Sequence, residues 1–355
     1  MNKIAKILFV VASSLSLTVS AIAGELSVTG SAKASYSIGG ASDHLRKGIG
    51  ISNEFALGAS GELDNGYTWT YNLDFDPNAG GTVDNDDQSL VIGMGDMGAI
   101  GIYVSEGGLS KEFGFGVGSL GTGQDYAGES STVFGYDISD NENIQYHLPS
   151  GLLPFGLTAK VGYAPELNAI DSQDFKEDGA QVSDSTSGTS ATHYQVTAAP
   201  MDGLAIGADY YSADDATGAY QSKESGSAYA KYTMGNITVG YNRSLAAPNV
   251  ATASKYAADN HYNYETDQYG IQFDVNDSLS VSYTREKSER KSYAVAAAGT
   301  GNTARTAQTS DVDSIQAAYV IGGATVGVAI VEGSDSDYTA NKDEKQTLFS
   351  LAMEF

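Results

Sequence analysis

The sequence predicts an all-β fold: one 16-stranded antiparallel transmembrane β-barrel, with short turns at one end and long loops at the other. Three observations lead there. Apolar and polar residues alternate with period two along most of the chain, as in strands with one greasy and one wet face. An export leader opens the sequence, yet no later stretch has the 18 or more consecutive apolar residues of a membrane helix. The connections between the alternating segments are short and long in turn, as in a barrel that threads a bilayer.

The leader occupies residues 1–23. Lys3 and Lys6 give it a positive start, Ile7 to Ala12 open an apolar run reaching about Val19, and Ala21-Ile22-Ala23 supplies a small-x-small cleavage signal. The expected domains are therefore a signal peptide, 1–23, and a barrel domain, 24–355. Removing the two leader lysines leaves seventeen bases against 44 acids, a net charge of −27. Such acidity argues against nucleic acid as a partner, because phosphate binding needs clustered Lys and Arg. With no Cys in the 355 residues, disulfides, thiol nucleophiles and Cys-ligated zinc are excluded. A mean hydropathy of −0.22 speaks against a helical membrane protein but not against a barrel.

From Leu26, one parity reads Leu26, Val28, Gly30, Ala32, Ala34, Tyr36, Ile38 and the other Ser27, Thr29, Ser31, Lys33, Ser35, Ser37. The pattern returns in Tyr67, Trp69, Tyr71, Leu73, Phe75 against Thr68, Thr70, Asn72, Asp74, and in Tyr269, Ile271, Phe273, Val275 against Gly270, Gln272, Asp274. It closes the chain as Thr347, Phe349, Leu351, Met353, Phe355.

Seven short turns are expected near Asp64-Asn65-Gly66, Asp96-Met97-Gly98, Pro149 to Pro154, Pro200 to Gly203, Gly235-Asn236, Asn276-Asp277 and Gly322-Gly323. Eight long polar loops, approximately 39–47, 77–88, 105–142, 165–191, 213–225, 245–264, 288–311 and 333–345, lie between them. Seven turns and eight loops join sixteen strands, and an even count leaves both termini on the turn side. A soluble sandwich has no reason to alternate short and long connections, and no fixed-period solenoid repeat is present. Lipid also demands closure, since an open sheet edge would leave backbone amides unsatisfied. The outward faces carry almost no charge; Arg243 and Arg285 fall at loop ends, and Asn53 calls for a bulge or a subunit contact.

Sixteen strands, a long third loop and a C-terminal Phe355 resemble the trimeric general diffusion porins of Gram-negative outer membranes. Glu62-Leu63-Asp64-Asn65-Gly66 resembles their first periplasmic turn, Glu112-Phe113-Gly114 the motif of their constriction loop, and Asn143-Ile144-Gln145-Tyr146 the strand after it. Phe349-x-Leu351-x-Met353-x-Phe355 resembles the C-terminal signal read by the barrel-insertion machinery, with Met353 departing from the aromatic often found there.

The resemblance implies that loop 105–142 folds into the barrel and narrows it, facing a basic cluster on the opposite wall. Inward parity gives Lys33, Lys160 and Lys231 near mid-height, with Glu54 and Asp209 at similar depth. Glu54 stands where the family often has arginine. Loop acids expected to face the wall are Glu106, Glu112, Asp125 and Glu129, beside Phe113 of the motif. Three wall lysines against these acids predict a weak cation preference in a passive channel for ions and small hydrophilic solutes. The small outward residues Gly30, Ala32 and Ala34 suggest close subunit packing along the early strands of a homotrimer. Outer-membrane lipid, lipopolysaccharide and the insertion machinery are the other partners implied.

Other chemistry finds little support. Gly116-Val117-Gly118-Ser119-Leu120-Gly121 spells the dinucleotide fingerprint but lacks a βαβ context. His44, His147, His193 and His261 share no zinc-ligand spacing. The clusters Asp84-x-Asp86-Asp87, Asp214-Asp215 and Asp335-x-Asp337 offer oxygens to loop-bound calcium, yet none matches an EF-hand; no cofactor and no enzyme activity are expected. Two alternatives remain: a sugar- or peptide-selective channel, for which Tyr211 and Tyr229 are candidate lumen aromatics, and a non-conducting anchor or adhesin. The eight loops hold 27 of the 44 acids and 11 of the seventeen bases, so −16 stands at the outer mouth, where it should concentrate cations until salt screens it over about 8 Å.

Overall fold

A computed structural model describes residues 24–40, 48–77, 83–111, 117–121, 135–165, 167, 190–214, 219–251, 261–293, 295–297, 301–303 and 307–355. The leader lies outside the described residues. The first nine strands are β1 (Glu25–Gly40), β2 (Gly48–Glu62), β3 (Thr68–Pro77), β4 (Val83–Gly93), β5 (Ala99–Val104), β6 (Asn143–His147), β7 (Thr158–Ala164), β8 (Ala191–Met201) and β9 (Leu204–Ala213). The rest are β10 (Ala219–Gln221), β11 (Glu224–Met234), β12 (Ile237–Ala247), β13 (Val250–Ala251), β14 (His261–Asp274), β15 (Leu279–Ser292), β16 (Val295–Ala297), β17 (Gly301–Thr303), β18 (Gln308–Ile321), β19 (Ala324–Ser334) and β20 (Glu344–Glu354).

Sixteen of these close into one antiparallel barrel in chain order. Two ribbons, β10 with β13 and β16 with β17, stand apart from the ring inside segments read from sequence as loops. Each of the seven expected short turns joins consecutive barrel strands. Their local chemistry is visible: Asn276 Oδ1 accepts the N–H groups of Ser278 and Leu279, both at 2.9 Å, and Asn65 Oδ1 that of Tyr67 at 3.1 Å.

Burial is inverted relative to a soluble protein. Gln145, His193, Gln268, Glu286 and Gln316 are fully buried inside, while Ile51, Ile102, Val196, Ile271 and Leu351 are exposed outside. An apolar exterior over a polar interior is the pattern lipid selects, and closure satisfies every ladder amide that an open edge would strand.

The seam is made by the last residue. β20 pairs with β1, and Phe355 then exchanges two backbone hydrogen bonds with Gly30, at 2.8 and 2.9 Å. Its ring meets Phe55 edge-on, centroids 5.6 Å apart. Gly30 is small of necessity: a Cβ there would lie 2.8 Å from both the Glu54 carbonyl oxygen and the Phe355 ring. Valine ordinarily favours a strand, yet Gly30→Val should lower the yield of closed, heat-resistant barrel. Heat-modifiable migration in SDS gels measures it; a wild-type yield would disprove the packing argument.

Two expectations need correction. The outward faces are not free of charge above the apolar band. Arg243 pairs with Glu265 and Asp267 at 2.9 and 3.5 Å, and Arg285 with Asp311 and Asp313 at 3.1 and 3.4 Å. β14, β15 and β18 are each 14 residues long, more than the 9–11 needed to cross, so their outer ends leave the hydrocarbon and carry these pairs. Tyr241 and Tyr283 donate their hydroxyls to Asp267 and Asp313, marking the boundary with rings below and charges above. Second, the β1–β2 register passes Asn53↔Ala32 without a shift, so no bulge accounts for Asn53.

Candidate functional site

Loop 105–142 enters the barrel. Its described residues, 105–111, 117–121 and 135–142, dock at both ends on inward side chains. At the base, Leu109 and Ile138 are fully buried with Ala164 and Leu167 as a small apolar nucleus. Polar groups of the wall then hold the backbone. Gln195 donates to the Leu109 carbonyl at 2.9 Å, Asn143 to that of Glu106 at 3.1 Å, and Gln145 to that of Gly107. The Lys111 N–H donates to Asp209 at 2.7 Å, and the Tyr136 N–H to Ser225 at 2.9 Å.

The tip reaches the far side. The N–H groups of Ser119 and Leu120 donate to Ser282 Oγ and Gln316 Oε1, at 2.7 and 2.8 Å, and Gln316 Nε2 returns a bond to the Gly121 carbonyl at 3.0 Å. The Leu120 side chain packs against the buried cluster Val312, Ala329 and Val331, as does Leu348. Residues 117–121, which match a nucleotide fingerprint in sequence, are thus a loop tip seated against the wall. Leu120 supplies the apolar anchor, and backbone amides supply the polar ones.

Among the described residues of the loop these anchoring contacts fall on strands from β6 to β20, and toward the arc β1 to β4 the loop presents Glu106. That arc carries Lys33, Glu54, Asp74 and Asp87 facing inward. Asp74, Asp87 and Glu106 each place one carboxylate oxygen within 4.8 Å of the others. Three hard oxygens suit a hydrated divalent cation, though calcium ordinarily takes six to eight. Burial first, then the Asp74 and Glu54 charges, push the Glu106 carboxyl above the usual carboxylate range, against one backbone hydrogen bond.

The sequence-expected wall residues separate into two groups. Lys33 and Glu54 stand on the β1–β4 arc. Lys231 is three residues from the end of β11, toward the short-turn end, whereas Lys160 on β7 is in register with Gln195, which is in turn in register with Asp209 at the loop base. Asp209 does not line the lumen: its side chain is 1% exposed and is spent on the loop base. Glu106 is described; Glu112, Phe113, Asp125 and Glu129 lie outside the described residues, as do His44 and Asp215. Asp335 and Asp337 are used locally, accepting from the Asn341 N–H at 2.7 Å and pairing with Lys342 at 2.5 Å. Asp74 and Asp87 were legible by parity and by acidic clustering, but only the fold brings them to Glu106. Ser282 and Gln316, and Gln272, which accepts the Gly118 N–H at 3.4 Å, carry no motif at all.

No family model matches the chain, and no curated protein matches it in sequence. Solved structures do. An anion-selective porin from Comamonas acidovorans superposes with a TM-score of 0.65 at 10% identity, covering 93% of this chain and 99% of that one. A loop-deletion mutant of OmpT, an outer membrane protein of Vibrio cholerae, gives 0.61 at 14% identity over 94% and 100% of the two chains. OmpF of Salmonella typhi, in complex with daunomycin, gives 0.60 at 14% over 94% and 98%.

The fold is that of the outer-membrane porins.

Coverage is near-complete for both this chain and each of the three porin-fold neighbours. The porin resemblance implies a basic cluster on the wall opposite the constriction loop. Here β1 to β4 offer Lys33 as their one base, against Glu54, Asp74 and Asp87.

Proposed function

We propose that this chain is a passive, cation-preferring outer-membrane channel for ions and small hydrophilic solutes. The observation that carries the proposal is the acidic arc: Glu54, Asp74 and Asp87 gather on β1 to β4, and Glu106 of the docked loop joins them. In a water-filled constriction, fixed charge of one sign enriches the opposite ion, and electrostatics rather than shape sets selectivity. One structural neighbour is an anion-selective porin, so the sign of selectivity does not follow from the fold.

The alternatives fit less well. An aromatic-lined selective channel would use Tyr211, but its ring is fully buried against Tyr136 and His193. A non-conducting anchor would keep loop 105–142 outside, whereas its tip bonds to inward residues of β15 and β18. Catalysis has no part in this reading. A homotrimer is proposed with it, the early strands meeting at the centre; exposed Ile49, Ile51 and the unexplained Asn53 on β2 then face a neighbour instead of lipid. Phe349, Leu351 and Met353 of β20 and Phe355 just after it are all exposed on the outside, within reach of insertion machinery before the seam closes.

Planar-bilayer recording of the refolded protein tests the proposal. Expected are large ohmic steps and, in a salt gradient, a reversal potential of the cation sign. An anion-sign potential, or silence from folded protein, would sink it.

A further inference from the structure

His193 is buried in the wall of β8 with no place in ion passage, and its surroundings are unusual. Its Nε2 lies 3.2 Å from Asp209 Oδ2 as a hydrogen bond. Its Nδ1 lies 3.4 Å from Asp137 Oδ1, an ion-pair contact without hydrogen-bond alignment. The imidazole is 0% exposed and Asp209 1%. Both acids grip the root of the constriction loop. Asp137 accepts the N–H groups of Leu109 and Ser110, at 2.9 and 2.7 Å, and that of Ser139 at 3.2 Å. Asp209 accepts the Lys111 N–H and the Ser227 hydroxyl.

From this geometry we infer that His193, as an imidazolium, is the positioning residue of the constriction loop: a charged clamp between a wall carboxylate and a loop carboxylate, whose loss frees the loop base. The chemistry allows one protonation state to do this. Only the imidazolium presents an N–H at both ring nitrogens; the neutral ring turns a lone pair toward one of two buried carboxylates and removes the charge that keeps them together. The other charged or titratable groups packed around it do not substitute. On β9, Tyr211 meets the ring edge-on at 5.5 Å, and on β7 the residue opposite is Gly162. Lys223 lies over the Tyr136 and Tyr211 rings, 4.2 and 5.7 Å from their centroids, one layer beyond the ring. Burial pushes the Asp137 carboxyl up, but the contacts from His193, Leu109 and Ser110 outweigh it and hold that carboxyl below the usual range. At neutral pH the loop partner is therefore an anion, and the proton that titrates is on the histidine.

The sign follows. The clamp is closed at low pH and opens as pH rises through the histidine titration. Although the inference builds on the reading of loop 105–142 as a constriction, hydrogen exchange tests it without any current. In the refolded full-length protein, the Leu109, Ser110 and Lys111 amides should lose roughly tenfold or more of their protection between about pH 6 and about pH 9, after correction for intrinsic rates. His193→Gln should show the low protection throughout and no pH profile. Asp137→Asn, which keeps the shape but not the charge, should flatten the profile too and serves if His193→Gln does not insert. In bilayers, the wild-type current should grow noisier over the same interval. A pH-independent protection in wild type, or the wild-type profile retained in either variant, overturns the clamp. Absence of current with the exchange profile intact overturns the channel reading and leaves the clamp standing.

Discussion

Replacing Asp74 and Glu106 together by Asn and Gln should abolish most of the cation preference. These carboxylates lie within 4.8 Å of each other and of Asp87, on the β1–β4 side of the lumen. A unit charge acts on an ion about 4 Å away with roughly 1 kcal/mol in water and more where protein lowers the effective dielectric. Since 1.4 kcal/mol is a factor of ten, losing two of the charges, about 2 kcal/mol together, should reduce the cation-to-anion permeability ratio roughly thirtyfold. Screening sets where to measure: the Debye length is about 30 Å in 10 mM salt and about 3 Å in 1 M, so dilute gradients show the full effect.

The pH dependence gives a second signature of the same residues. With its carboxyl raised by burial and by Asp74 and Glu54, Glu106 takes up a proton at a higher pH than an ordinary Glu. Cation preference should therefore begin to fall, on acidification, above the usual carboxylate range, and Glu106→Gln should erase that early component. A double variant with unchanged reversal potential, or an early component that survives Glu106→Gln, would show that selectivity is set elsewhere, for instance by the loop charges at the mouth.

How far the sequence reached depends on the range of the physics involved. Period two is local, and so is turn chemistry; Leu26 to Ile38 and Asn276-Asp277 are strand and turn in the structure as in the sequence. Parity also placed Glu54 and Lys33 inside. What parity cannot say is which inward residues meet water and which meet the loop. Asp209 and Glu54 look alike on that criterion, yet the side chain of one is buried beneath the loop base and the other is exposed on β2. Likewise Arg243 and Arg285 read as isolated outward charges because their partners, Glu265 to Asp267 and Asp311 to Asp313, lie on neighbouring strands and only register pairs them. The constriction loop was legible as a length, about that of a reach across the lumen and back. Its seat was not, because Gln316, Ser282 and Leu120 are brought together across 163 residues or more of chain by closure of the ring.

That seat is also where the second large effect is expected. Leu120→Ser combined with Gln316→Ala should detach the tip while leaving the barrel intact. Truncating a buried leucine in a packed site costs about 2–5 kcal/mol, with a partly buried side chain at the low end. Each lost hydrogen bond, to Leu120 N–H and Gly121 carbonyl, adds about 1 kcal/mol. Together that is roughly 4 kcal/mol, a shift of about a thousandfold in the docking equilibrium. Gly327→Val attacks the seat from the other side, since a Cβ there would stand 2.7 Å from Leu120 Cδ2 and from Ser350 Oγ. Leu120→Ser and Gln316→Ala change side chains that face the lumen, so heat-resistant migration in SDS should persist in that variant. Gly327, by contrast, lies in β19 in register with Ser350 of β20, and its valine variant is read only in the fraction that migrates as heat-resistant barrel. The readout is the single-channel record: a higher mean conductance, added current noise and a smaller reversal potential, because a loop no longer held against β15 and β18 stops pressing the permeating ions toward Asp74 and Glu106. Wild-type conductance and noise in both variants would mean that the tip does not shape the passage, and that the loop base alone, held at Asp137 and Asp209, sets its width.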